Sequence, residues 1–479
     1  MKTKVSLGIL ILLVIYLFGK IGYEKITTTK PILTSEAVEE NIIYVQECLL
    51  GKLFKQNANE ILYTYIKDNE VFFDLINVKT KKTVNKNKIG EKELSDVKIS
   101  APYMISNPEF IETKDKKILV SLNGVNRKQI ITKIFLYDPV QNTYSEIKTD
   151  LYDIKTPLIL QDGKILVYSK TRAGEFKIEI HDNNKLVSKL TKKDRKYTSL
   201  YPLKNGKILI LDTWQNPIAI YNPEKNTIKP MQKTAYANST NFEELSDGNL
   251  AFVTNEEGRH AIELYDIDKE EFHVVLSDAK SLTIVPLIGN KIYGTHLFTK
   301  INGDYYSVYP ETREYKKLYD IDSETLSFPV AIARDKILLN KMDGVKLLDL
   351  NKNEVFKKNP VDKWPGSFIY KLTDNKSLIV NDASNQTYVY DNNKNSIKKG
   401  MKLSSDFYHS FPHQVVPLDD GRYVIHYMET YGELEKKYGI FGKLLSAALI
   451  TVCTEDLGGI CDDYNNQPFF SYIITEIGK

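Results

Sequence analysis

Ile134-Phe-Leu-Tyr-Asp138 is a short apolar-x-apolar-bulky run closed by Asp, and its form returns along most of the chain. The further copies are Ile178-Glu-Ile-His-Asp182, Ile218-Ala-Ile-Tyr-Asn222, Ile262-Glu-Leu-Tyr-Asp266, Tyr306-Ser-Val-Tyr-Pro310, Val345-Lys-Leu-Leu-Asp349 and Thr387-Tyr-Val-Tyr-Asp391. Their last residues are spaced by 44, 40, 44, 44, 39 and 42 positions, so the period is regular. An eighth copy, Phe73-Asp-Leu-Ile-Asn77, precedes them by 61 residues, with an insertion around residues 85–112. Self-similarity at this period marks a repeat architecture.

A second pattern keeps step with the first: a polar turn followed by an apolar run. It is seen at Asp162-Gly-Lys-Ile-Leu-Val, Asn205-Gly-Lys-Ile-Leu-Ile, Asp247-Gly-Asn-Leu-Ala-Phe and Asp420-Gly-Arg-Tyr-Val-Ile, with intermediate copies from Asn290, Asp335 and Asn375. Both patterns alternate with a period of two, favour Ile, Val, Tyr and Leu, and are bounded by Gly, Pro, Asn and Asp, which is strand chemistry. Each unit has room for four strands. A four-stranded repeat of this length is a propeller blade.

On these motifs the chain resembles the β-propeller superfamily, and its Leu-Tyr-Asp strand ends with polar tails are most similar to TolB-like or YVTN-type blades over roughly residues 58–430. Trp214 and Trp364 are the only tryptophans, so the WD dipeptide, tryptophan-docked blades and sialidase boxes are not supported. The resemblance implies an all-β propeller. Eight strand ends and nine strand starts, the latter counting Asn59-Glu-Ile-Leu-Tyr, predict eight four-stranded blades with a closing blade shared by the termini, or seven as the alternative. Leu434, Tyr438, Phe441, Leu445 and Leu449 fall at helical spacing and predict a short helix interrupting the last blade.

The chain has 479 residues, 42% hydrophobic and 27% charged, enough to bury a core and unlike a disordered chain. Lys+Arg 65 against Asp+Glu 62 leaves +3, too balanced for the basic field that nucleic acid requires, so no nucleic-acid partner is expected. Cys48, Cys453 and Cys461 make no disulfide framework and no zinc motif. Cys453 and Cys461 could close a small loop in an oxidising compartment, or remain free thiols.

Residues 5–19 carry no charge, and Ile21 to Tyr23 extend the apolar stretch past Lys20, which can snorkel. No small-residue cleavage site follows, so an uncleaved single-pass anchor is expected, with the short basic N-terminus inside and the body extracytoplasmic. The expected organisation is an anchor at 1–23, a stalk at 24–57 that includes Thr27-Thr-Thr-Lys-Pro31, and a propeller at 58–479.

Alternating antiparallel strands place the first-to-second and third-to-fourth connections on one face and the others on the opposite face. The first set is tight, whereas the second is long and varied. Variable loops on a rigid scaffold are where binding concentrates. Arg172, Tyr197, Trp214, Trp364, Tyr408 and His409 lie in this second set and are the expected binding residues. His409 and His413 suggest a metal pair, but Pro412 argues against the helix that would align them, so no metal is expected. No nucleophile elbow, phosphate loop, dinucleotide fingerprint or His-Glu-x-x-His motif is present, and no cofactor is expected. The leading expectation is an anchored binding or scaffold propeller for a protein, peptide or glycan rather than an enzyme. The rival is an enzyme acting on an envelope or extracellular polymer through acids such as Asp194, Asp212 or Asp406.

Overall fold

The computed structural model describes most of residues 42–429 together with 469–476; residues 1–41, 430–468 and 477–479 lie outside it, as do several connections, the longest being 95–108, 232–241, 285–296, 319–329 and 356–366. The described residues form nine four-stranded antiparallel sheets. Eight are consecutive in the chain, at residues 50–89, 109–146, 158–193, 199–230, 242–279, 282–317, 330–355 and 367–402. The ninth joins Ser410–Pro417, Tyr423–Glu429 and Phe469–Glu476 to the first strand of the chain, Ile42–Cys48. The sheets are numbered here in that order.

Nine sheets correct the expected eight. Each of the eight strand-end motifs closes the third strand of one sheet, as at Gln129–Asp138 and Pro217–Asn222. The ninth third strand, Phe469–Glu476, lacks the motif, because its outer partner is the N-terminal Ile42–Cys48 and no hairpin turn joins the two. The same pairing moves the start of the body from residue 58 to Ile42, since Ile42–Cys48 and Leu50–Lys55 are sheet strands. The anchor and the last-blade helix both fall outside the described residues. Among the described residues no helix is long and apolar enough to cross a membrane.

The chemistry of the Tyr-Asp motif is visible at its turns. Asp138 Oδ1 accepts from the amides of Val140 and Gln141 at 2.9 and 3.0 Å, and Asp266 Oδ1 does the same for Asp268 and Lys269 at 3.0 and 2.9 Å. These Asx caps stop the strand and reverse the chain. The tail then passes through a left-handed residue, Asn142 at φ 54° and Asn226 at φ 52°. The preceding tyrosine pins it: Tyr137 Oη donates to Asn142 Oδ1 and Tyr221 Oη to Asn226 Oδ1, each at 2.9 Å. Burial pushes both phenols up to about 12.

The fourth strands are the perimeter, as the mostly exposed Lys185–Lys193 and Thr227–Pro230 show, and the first strands are the inner ones. Successive sheets pack face to face through apolar clusters. Phe73 of the first sheet stacks on Tyr137 of the second, ring centroids 4.0 Å apart. Val416, Leu418 and Val424 of the ninth sheet pack with Leu53, Ile61 and Tyr63 of the first, which closes the ring. Its inner seam is sealed by one side chain: Gln414 Oε1 accepts from Leu53 N and Gln414 Nε2 donates to Leu53 O, both at 2.8 Å.

Candidate functional site

The two faces differ in how they are built. On the tight-turn face, a lysine just past the first hairpin turn of one sheet reaches the second hairpin turn of the next. Lys117 Nζ donates to Asn183 Oδ1 at 3.3 Å, Lys207 Nζ to Ile267 O at 3.0 Å and Asp268 Oδ1 at 3.2 Å, and Lys336 Nζ to Asn392 Oδ1 at 3.2 Å. Lys55 pairs with Asp419 across the ring closure. These lysines stitch neighbouring sheets together on this face.

The strand ends from which the chain passes from one sheet to the next lie on the opposite face. The chain also leaves the ninth sheet at Glu429 and returns at Phe469, both at this end of their strands. Strand polarity also fixes where the N-terminus joins. Ile42–Cys48 runs antiparallel to Phe469–Glu476, so it starts at the tight-turn face and finishes at the long-loop face.

Of the expected binding residues, Tyr197 alone is described; Arg172, Trp214, Trp364, Tyr408 and His409 lie outside the described residues. Tyr197 is 8% exposed and packs edge-on against Phe176 at 5.6 Å, within the core shared by the third and fourth sheets. Burial first, then the neighbouring Asp194 charge, raises its phenol pKa. Its place just before the Ser199–Pro202 strand, at the foot of a polar connection, made it look like a surface residue. Folding turns it inward to cover the sheet seam.

The loops around it are ordered by local bonds. The loop before Glu175–Asp182 is closed by Gly174 N donating to Thr171 O at 2.9 Å and by Glu175 N donating to Thr171 Oγ1 at 3.0 Å. Lys170 Nζ donates to Arg195 O at 2.7 Å, and the Arg195 side chain lies so close to Gly174 that an added Cβ would stand 2.5 Å from its Cγ. Gly174 also sits at φ +82°, so this close approach needs glycine twice over. Asp212 closes the next loop by accepting from Asn216 N at 2.8 Å. Asp194 accepts from Lys196 N at 2.9 Å. Both candidate acids are thus engaged in turn geometry, and the third, Asp406, is outside the described residues.

A buried polar cluster that the sequence reading passed over sits between the second and third sheets. Thr149 Oγ1 donates to Glu179 Oε2 at 2.6 Å, Lys189 Nζ stands 2.9 Å from Glu179 Oε1, and His181 Nε2 lies 3.4 Å from Glu179 Oε2. Glu179 and His181 are 1% and 0% exposed. Burial raises the Glu179 pKa, but Thr149, Lys189 and His181 more than offset that and leave it below its ordinary value. Burial lowers the His181 pKa, against the pull of Glu179. The signal was present in Ile178-Glu-Ile-His-Asp182, where a Glu and a His occupy one face of a strand whose other face is apolar. Glu179 and His181 are closed to solvent while Lys189 reaches them from the surface, and the bond to Glu179 fastens the connection that carries Thr149. Among the described residues no group of three or more His, Cys, Asp or Glu side chains could hold a metal ion.

A second feature passed over is on the rim itself. Lys192, Lys193, Arg195 and Lys196 are exposed and make no ion pair among the described residues. Its signal in the sequence is the charge run Lys192-Lys-Asp-Arg-Lys196.

No family model matches the chain. Segregation and condensation protein A of Clostridium botulinum (strain Alaska E43 / Type E3) is 23% identical over 252 residues, which is 50% of this chain and 90% of that protein. Among solved structures, virginiamycin B lyase from Staphylococcus aureus has 12% identity and a TM-score of 0.33, covering 78% of this chain and 97% of its own. A puromycin-hydrolyzing peptidase of Mycobacterium tuberculosis has 10% identity and 0.38, covering 84% and 61%. TolB from Acinetobacter baumannii has 11% and 0.28, covering 65% and 80%. The ring of four-stranded sheets, closed by pairing of the terminal strands, is the β-propeller fold.

Proposed function

We infer that the chain is a binding or scaffold propeller, anchored in a membrane by residues 5–23 with its body extracytoplasmic, that takes a protein, peptide or glycan partner on its long-loop face. The observation that carries this reading is the asymmetry of the two faces. One is stitched sheet to sheet by short turns and lysine bonds, while the other bears the long connections and unpaired cations. The polarity of Ile42–Cys48 supports the arrangement: a tether entering at the tight-turn face leaves the long-loop face pointing away from the membrane. The loop bonds that Asp194 and Asp212 accept give both a part in turn geometry, which supports a binding role.

The test is crosslinking of the full-length chain in intact source cells, compared with Trp214→Ala, Trp364→Ala and a form lacking residues 1–23. A recurrent partner that is lost in these variants while their melting temperatures hold supports the reading. Capture unaffected by both tryptophan changes, or loss of folding in both, removes the long-loop tryptophans from the site.

A further inference from the structure

We propose that the outer edge of Lys185–Lys193, continued by the rim at residues 194–196, is a docking strip for an extended acidic peptide of a partner protein, added as a fifth strand to the third sheet. This deepens the long-loop-face reading and rests on it.

Charge is the first observation. Lysines elsewhere on the described surface are commonly paired, for instance Lys88 with Glu70 at 2.8 Å, Lys164 with Asp162 at 2.6 Å and Lys317 with Asp304 at 2.6 Å. Lys192, Lys193, Arg195 and Lys196 have no such partner, and the one acid among them, Asp194, is turned onto the Lys196 amide. Four cations against the single acid Asp194 leave a formal charge of +3 on five residues, a repulsion that an anionic ligand relieves.

The backbone edge is the second. Lys185–Lys193 is nine residues long, against four for Thr143–Glu146 and Thr227–Pro230, the perimeter strands on either side. Asn226 Nδ2 donates to Lys189 O at 3.3 Å from the following sheet, so Lys189 turns its carbonyl away from its strand partner. In an antiparallel pair the outward residues alternate, which sets the amide and carbonyl of Thr191 and Lys193 on the same open side. An open edge ending in a basic run is the geometry of strand addition, with main-chain bonds giving affinity and side chains giving choice of ligand. Leu186 and Val187, 46% and 47% exposed, put apolar surface on the same strand, which suits a peptide carrying apolar residues beside its acids. Perimeter strand Glu271–Ala279 is equally long but carries no basic run, so length alone does not make the strip.

The test uses the full-length chain in nonionic detergent and a fluorescein-labelled decapeptide of alternating Glu and Val. Saturable, salt-sensitive binding is expected. The combined variant Lys192→Gln, Lys193→Gln, Arg195→Gln, Lys196→Gln weakens it by about tenfold or more. Thr191→Pro, which removes an outward amide without touching the inner ladder, weakens it as well. Both variants keep the wild-type melting temperature. The proposal is overturned by absence of saturable binding, by unchanged binding in the charge variant, or by insensitivity to Thr191→Pro, which assigns the strip to charge alone and to an anionic polymer. A cellular partner still captured by the charge variant sinks the strip while leaving the long-loop-face reading intact.

Discussion

Gln414 bonds the ninth sheet to the main chain of the first, and Gln414→Ala isolates that part of the seam. The substitution removes one acceptor and one donor, each 2.8 Å from the main chain of Leu53, a residue 1% exposed. A buried backbone group left without a partner costs roughly 1–3 kcal/mol. Gln414 is half-buried, so water replaces part of each bond and the lower end of that range applies to both groups. The expected loss is about 2 kcal/mol. Urea unfolding followed by circular dichroism measures it as a shift in midpoint at constant slope. Gln414→Glu separates the two bonds. Its carboxylate still accepts from Leu53 N but faces Leu53 O with no proton, so at neutral pH it is at least as damaging as alanine. Relative to the wild type it recovers below about pH 4.3, where the protonated acid can donate. Lys55→Gln, at the exposed pair on the same seam, is the control and costs under about 1 kcal/mol. A loss below about 0.5 kcal/mol for Gln414→Ala, with unchanged slope, would refute the idea that closure uses this amide.

Two further outcomes follow from the core. His181 has its folded pKa below the unfolded value and Glu179 likewise, so the unfolded chain takes up more protons in acid, and stability falls as pH drops below about 6.5 and again below about 4.5. His181→Phe should remove the first step and keep the second, read as the pH dependence of the urea midpoint; an unchanged profile between pH 7 and pH 5 means His181 does not titrate as a buried neutral group. Tyr221→Phe deletes the bond to Asn226 and should cost about 1 kcal/mol, with the same change at Tyr137 costing a similar amount; neutrality at both means the hydroxyls do not hold the left-handed turns.

The repeat was legible because its chemistry is local. Asp138 caps amides two and three residues ahead, and Tyr137 reaches a residue five ahead, so both leave a mark within one short window. Four strands per unit, and which connections are tight, followed from the same windows. The ninth sheet was hidden because its defining pairs, such as Ile42 with Ile474, join residues at opposite ends of the chain and need no shared motif. The nine strand starts in the sequence already match nine sheets, since Tyr423–Glu429 follows Asp420-Gly421 like the others, whereas the eight strand ends pointed to eight. The site was less legible than the fold. Tyr197 has the polar neighbours of a surface loop, yet packing against Phe176 decides its place. Glu179 and His181 stand in a strand that reads as an ordinary repeat, and only the neighbouring sheet supplies Thr149.

In the anchored arrangement proposed above, the outermost position of Ile42–Cys48 has a mechanical consequence. A pull on residue 41 directed away from the tight-turn face runs along the strand, so the pairs from Ile42 with Ile474 to Cys48 with Phe469 are strained together in shear. They are not opened one after another like a zipper. The strand carrying that force is bonded to the C-terminal Phe469–Glu476, so tension passes into the far end of the polypeptide before it reaches the repeats. Loss of the last strand would leave the tether attached to the ring only through the chain leading into Leu50–Lys55.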